Sequence, residues 1–217
     1  MSMRTEDLIS QLSAGLKPVR RMPSPLAMLG LWCLFCAGVI GAALLISGLR
    51  ADFAAWLMDG FDLYHIMSAA LVALTAGYAA FQLALPDRDQ RWVLLPVPAV
   101  VGWLVTMGWG CLEDIARLGP EAMNLTISFP CLGFIIGLGL PMTVAIVYLT
   151  RHAALMRPMP VAALGGLSAA AFASLGLTLV HELNAAVMVL VWHGIAVLVV
   201  TCVGALTGPL VMQRAAM

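Results

Sequence analysis

Five cysteines and four histidines carry most of the reactive chemistry in this 217-residue chain. A thiolate binds soft metal ions and is oxidised reversibly, and a neutral imidazole ligates transition metals. Cys33 and Cys36 form a CxxC in "LWCLFCAG". Glu113 and Asp114 lie just beyond Cys111, Cys131 follows Pro130 in "FPCLGF", and His181 and Glu182 stand side by side in "LTLVHELNAAVM". His65, His152, His193 and Cys202 stand apart. None of these spacings is a local metal motif such as HExxH or a paired CxxC, and no nucleophile–base set points to hydrolysis. The expectation is a protein that is not an enzyme. What the reactive groups can do depends on the elements that hold them and on which side of a barrier each lies.

Composition defines those elements. Hydrophobic residues make up 62% of the chain and charged residues 10%, with a mean hydropathy of +1.00. A soluble domain carries roughly a quarter charged residues, so this surface must be covered by lipid. Net charge is zero, which leaves no basic stripe for direct nucleic-acid binding. The expected fold class is all-α: an integral membrane six-helix bundle with a short cytoplasmic N-terminal amphipathic helix. Six apolar runs, at 26–48, 63–85, 92–110, 129–150, 161–180 and 185–207, each approach the ~20 residues that cross a bilayer as a helix. Alternation at strand period is absent and the runs are rich in Ala, Leu, Val and Gly, which favours helices over a barrel. Residues 1–24 form a soluble segment, 25–210 the spanning domain and 211–217 a tail. Pro96, Pro98 and Pro141 fall inside runs three and four and predict kinks. The pairs Gly133/Gly137 and Gly204/Gly208 have the spacing that lets helices approach closely.

Nine of the eleven Lys and Arg residues lie at one end: Arg4, Lys17, Arg20, Arg21, Arg88, Arg91, Arg151, Arg157 and Arg214. Only Arg50 and Arg117 fall in the other loops. By the positive-inside rule this predicts a multi-pass membrane protein with both termini in the cytoplasm. The same topology sorts the reactive residues. Cys33, Cys36 and Cys202 fall within spans and read as small apolar packing residues, and His152 as a juxtamembrane basic group. Cys111, Cys131, His181, Glu182 and the start of the span containing His65 converge on the outer face. At Cys131, Ser128 or Phe129 would cap a helix with Pro130 in its first turn. The unpaired N–H groups there favour an anion. His193 lies about two turns inside the sixth span. A histidine at that position marks either a functional site or an interhelical hydrogen bond.

The N-terminal stretch "TEDLISQLSAGLKPVRRM" has Thr5 as a candidate cap, Glu6 and Asp7 in the first turn, and Pro18 as a stop. Leu8, Leu12 and Leu16 recur at helical spacing with Ile9 beside them. Three turns are marginal alone in water. The stripe therefore calls for the membrane surface, the chain's own bundle, or a protein groove to cover it.

This stretch, its proline-containing linker into "LWCLFCAG", and then "GCLEDIARLGP", "FPCLGF" with "LPM" and "LTRHAALMRP", and "HELNAAVMVLVWHG" resemble, in that order, the NrsF-type anti-sigma factors. The resemblance implies a membrane tether that sequesters an extracytoplasmic-function (ECF) sigma factor at the cytoplasmic face. It would release that factor on a periplasmic metal or oxidative signal, with no resident cofactor and a soft or transition metal ion only as a transient signal. Two outward-facing cysteines are the sensing residues the family implies. Cys131 matches the first, whereas His181 and Glu182 stand where the second is expected. A mixed Cys131/His181 metal site is chemically possible. The competing reading is a small six-span transporter or channel with His193 on its path.

Overall fold

The computed structural model describes residues 4–15, 22–54, 60–119, 129–153, 156–180 and 186–214. Among them the regular secondary structure is helical. A short helix α1 (Thr5–Ala14) precedes α2 (Pro25–Ser47), α3 (Gly60–Leu83), a 3₁₀ turn (Gln90–Leu94), α4 (Val97–Leu118), α5 (Phe129–Thr150), α6 (Pro158–Val180) and α7 (Ala186–Arg214). Helices α2 to α7 are the six that are long and apolar enough to cross a membrane. Ser24 Oγ accepts from Ala27 N–H ahead of Pro25, and Gly48 ends α2 at a positive φ of 81° that a side chain would disfavour.

Successive helices alternate in direction. One end, rich in arginine, gathers the start of α2, the 3₁₀ turn and the 151–157 link, where the Arg157 guanidinium donates to the Arg88 carbonyl at 2.6 Å. At the opposite end the Arg50 amide donates to the Leu179 carbonyl at 3.0 Å, joining the end of α2 to the end of α6.

Helix α6 is the axis and packs against α2, α3, α5 and α7. Of its apolar window 67% is buried, against 11% for α2. The sequence "VAALGGLSAAAFAS" explains why. Lipid tails are as apolar as leucine, so helices associate through close van der Waals contact and hydrogen bonds, both of which need small side chains. A Cβ added at Gly166 would sit 3.1 Å from the Thr201 Cα, one added at Gly204 would sit 3.0 Å from the Ala162 carbonyl oxygen, and one at Gly208 would collide with the Ala162 Cβ. A polar tie crosses three helices: Trp32 Nε1 donates to Ser168 Oγ at 3.0 Å, and Ser168 Oγ donates to the Ala73 carbonyl at 2.7 Å. Gly77 leaves room for it, because a Cβ there would lie 2.9 Å from Ser168 Oγ.

Three sequence expectations are corrected. Gly204 and Gly208 are interfacial, but Gly133 and Gly137 are exposed on α5 with nothing within 4 Å of an added Cβ. Gly139 takes the close contact instead, against Val200. Pro96 precedes α4 as its cap and Pro98 falls in its first turn, where a missing N–H is harmless. Among the prolines named above, only Pro141 lies inside a helix, and Pro209 lies inside α7 as well. Thr5 does not cap α1: it is the first helical residue, and Arg4 precedes it with no side-chain cap bond.

Gly208→Val should therefore lower thermal stability in detergent by an amount in the range of overpacked cores, about 1–3 kcal/mol. Gly133→Ala, which meets no neighbour and removes a flexible glycine from a helix, should hold or raise the unfolding temperature. Equal effects of the two would contradict the packing described.

Candidate sensing and partner-binding sites

At the end opposite the arginines, the structure places Cys131 in the first turn of α5. It is 2% exposed and packs with Ile135 of α5, Ala173 and Leu177 of α6, and Ala196 of α7. The thiol is thus sealed within a three-helix contact instead of facing water. Cys111 does not end its helix. Helix α4 continues to Leu118, so Cys111, half-buried, and Glu113 lie on its final turns. Helix α4 persists there because "CLEDIARL" is itself a good amphipathic helix, ended by Gly119 at a φ of 62°. His181 and Glu182 lie outside the described residues. Among the described residues no group of three or more His, Cys, Asp or Glu side chains could hold a metal ion.

His193 is fully buried in α7 and faces the bundle interior, as an intramembrane histidine should. The hydrogen bond that could have accounted for it is missing, since neither ring nitrogen has a partner. Its electrostatic neighbour is His65 of α3. The His65 ring lies 6.2 Å, centroid to centroid, from that of Trp103 on α4, whose Nε1 is buried and also unpartnered. Ser68 Oγ donates to the His65 carbonyl at 2.8 Å and lies 3.3 Å from Thr106 Oγ1, tying α3 to α4 at this level. The polar cluster therefore joins α3, α4 and α7. Trp103 and Ser68 escaped the sequence reading. Their signal is rotational phase: Trp103 shares a buried face with Met107, whereas Trp109 is exposed.

The remaining thiols are free. Cys36 is buried beside Trp32, Phe81 and Met142, Cys33 is half-buried and Cys202 is exposed. Beyond α2, the Arg50 guanidinium grips Asp52 with two bonds, at 2.6 and 2.7 Å. That hydrogen-bonded guanidinium holds the Asp52 carboxyl below its usual range. A carboxyl lowered in this way supports the folded state above the ordinary carboxylate range, and that support fades as pH falls through the lowered value.

Helix α1 buries none of its residues. Leu8, Ile9 and Leu12 are 42%, 59% and 67% exposed; Leu16 lies outside the described residues. The chain's own bundle leaves the apolar stripe of α1 uncovered.

Fold and sites together describe an all-helical bundle of six membrane-length helices with a buried reactive end and an uncovered amphipathic helix. Residues 12–213 match the family model described as "Negative regulator of sigma F", NrsF, and the chain belongs to that family. The family's name implies a sigma factor as the regulated partner. The match starts within α1, at Leu12. No curated protein and no solved structure matches the chain.

Two outcomes follow from the buried end. Cys131 should resist maleimide in the folded protein and react freely after denaturation in SDS; equal rates would show that the α5–α6–α7 contact is open. His193→Leu removes a buried imidazole that has no hydrogen-bond partner among the described residues, and a buried polar group left unpaired costs about 1–3 kcal/mol. Its unfolding temperature in detergent should therefore hold or rise, and a marked fall would reveal a partner at that ring.

Proposed function

We propose that this chain is a membrane-bound anti-sigma factor. It holds an ECF-type sigma factor against the cytoplasmic face of the bacterial inner membrane through α1, and lets it go when a metal or oxidative signal acts on the periplasmic end. The observation that carries this reading is the uncovered Leu8–Ile9–Leu12 stripe in a chain of the NrsF family. An exposed apolar helical face of this size fits a hydrophobic groove on a partner. Its polar face bears Glu6 and Asp7, where a helix that lies on a membrane carries Lys and Arg. The bias of Lys and Arg supports the orientation.

Sensing, on this reading, uses Cys131 with His181 and Glu182 beyond the end of α6. Burial of Cys131 gives the coupling its physical form. A metal ion or oxidant that reaches the thiol must part it from Ala173, Leu177 and Ala196. Such a ligand binds the parted arrangement better than the closed one, which is the differential affinity that shifts an equilibrium.

The test is affinity purification of the tagged full chain from membranes, compared with a chain lacking residues 1–24. A sigma factor identified by mass spectrometry should accompany the full chain, and Leu8→Ala with Leu12→Ala should deplete it. Equal recovery without the segment would exclude docking through α1.

A further inference from the structure

One apolar cluster of the bundle draws on four helices at once, through Ala69 of α3, Trp103 and Met107 of α4, Ala170 of α6 and Val197 of α7. Residues four apart on a helix share a face. One turn from this cluster toward the end opposite the arginines, the same faces change in character. They carry His65, four before Ala69; Ser174, four after Ala170; and His193, four before Val197. On α4, Met107 is itself one turn beyond Trp103. The contact of Ser68 Oγ with Thr106 Oγ1, at 3.3 Å, ties α3 to α4 at the same level. A polar layer thus lies directly on an apolar one.

Unpartnered atoms gather in this layer. Among the described residues six buried side-chain nitrogen and oxygen atoms have no hydrogen bond, and four of them belong to Trp103, Ser174 and His193. His193 is 0% exposed, and His65 is its electrostatic neighbour. The His65 ring is half-buried and lies 6.2 Å from that of Trp103. Buried polar groups without partners are rare in folded proteins, and two free nitrogens on one imidazole in a membrane bundle call for a ligand.

The donor types decide which ligand. The indole N–H of Trp103 only donates and cannot ligate a metal ion, whereas each neutral imidazole offers one nitrogen lone pair. Met107, buried on the facing side of α4, adds a thioether sulfur. The described side chains of this layer include no carboxylate, and no three His, Cys, Asp or Glu side chains come together among the described residues. A divalent ion would be buried here with its charge uncompensated and with fewer than the usual nitrogen, oxygen or thiolate ligands of zinc. Two neutral imidazoles and a thioether suit a soft ion of single charge. We propose that His65 and His193, with the Met107 sulfur, form a binding site for copper(I) between α3, α4 and α7. Cys111, half-buried one turn beyond Met107, continues the row of soft donors outward. The site is separate from Cys131, which packs with Ile135, Ala173, Leu177 and Ala196, and it does not depend on the regulatory reading.

The experiment uses the full chain in detergent with its five cysteines replaced by serine, titrated anaerobically with copper(I) against bicinchoninate. One equivalent should bind, and X-ray absorption at the copper edge should show imidazole nitrogen and one sulfur. His193→Leu and His65→Leu should each weaken binding by more than roughly 100-fold, the upper cost of losing even a supporting partner. Met107→Leu, close in volume, should remove the sulfur from the spectrum. His152→Leu, at the arginine-rich end, should change neither. Zinc(II) should bind far more weakly than copper(I). No copper(I) binding, binding indifferent to both histidine substitutions, or a spectrum without imidazole would overturn the site. Zinc binding of equal strength would overturn its choice of a singly charged ion. None of these readouts involves a sigma factor, so failure here leaves the anti-sigma reading standing, and failure of that reading leaves the site.

Discussion

The close contact of α6 with its neighbours is the constraint on which the rest of this structure depends. In a membrane, the hydrophobic effect does not press helices together. Contact is won where side chains are small enough for backbones to meet, and in α6 alanine, glycine and serine supply that on nearly every side. Gly166 against Thr201, Gly204 and Gly208 against Ala162, and Ser168 under Trp32 are all instances of it. Helices α3, α5 and α7 gather around α6 for this reason. Their leucine- and valine-rich outer faces are left to lipid.

The same constraint explains what is loosely held. Helix α2 lies at the margin, burying Met28, Trp32 and Cys36 and joined at its far end to α6 through the Arg50 amide. Helix α1 is not covered at all. The fold thus combines a reactive end, a rigid axis, a lightly held helix and an uncovered leucine stripe.

Helical class, the number of spanning helices and the interior direction of His193 were legible in the sequence, because they follow from composition and run length. Rotational phase was not. The spanning helices are apolar on all sides, so hydropathy does not say which side faces inward. Gly133/Gly137 and Gly204/Gly208 have identical spacing, yet only the second pair meets another helix. Trp103 and Trp109 likewise differ in burial because they lie on different sides of α4. The burial of Cys131 depends on Ala173, Leu177 and Ala196, residues far away in sequence and unremarkable in type. The start of α4 was misread because Pro96 and Pro98 suggest a kink as readily as a beginning. His181 and Glu182 fall outside the described residues.

The account stands most directly on what covers the α1 stripe in the cell. A photoreactive benzoylphenylalanine placed at Leu12 of the full chain in living bacteria, followed by mass spectrometry of its adducts, reads that contact without purification. The account predicts an adduct whose peptides belong to a sigma factor. Adducts confined to lipid, or to the chain's own helices, would contradict it.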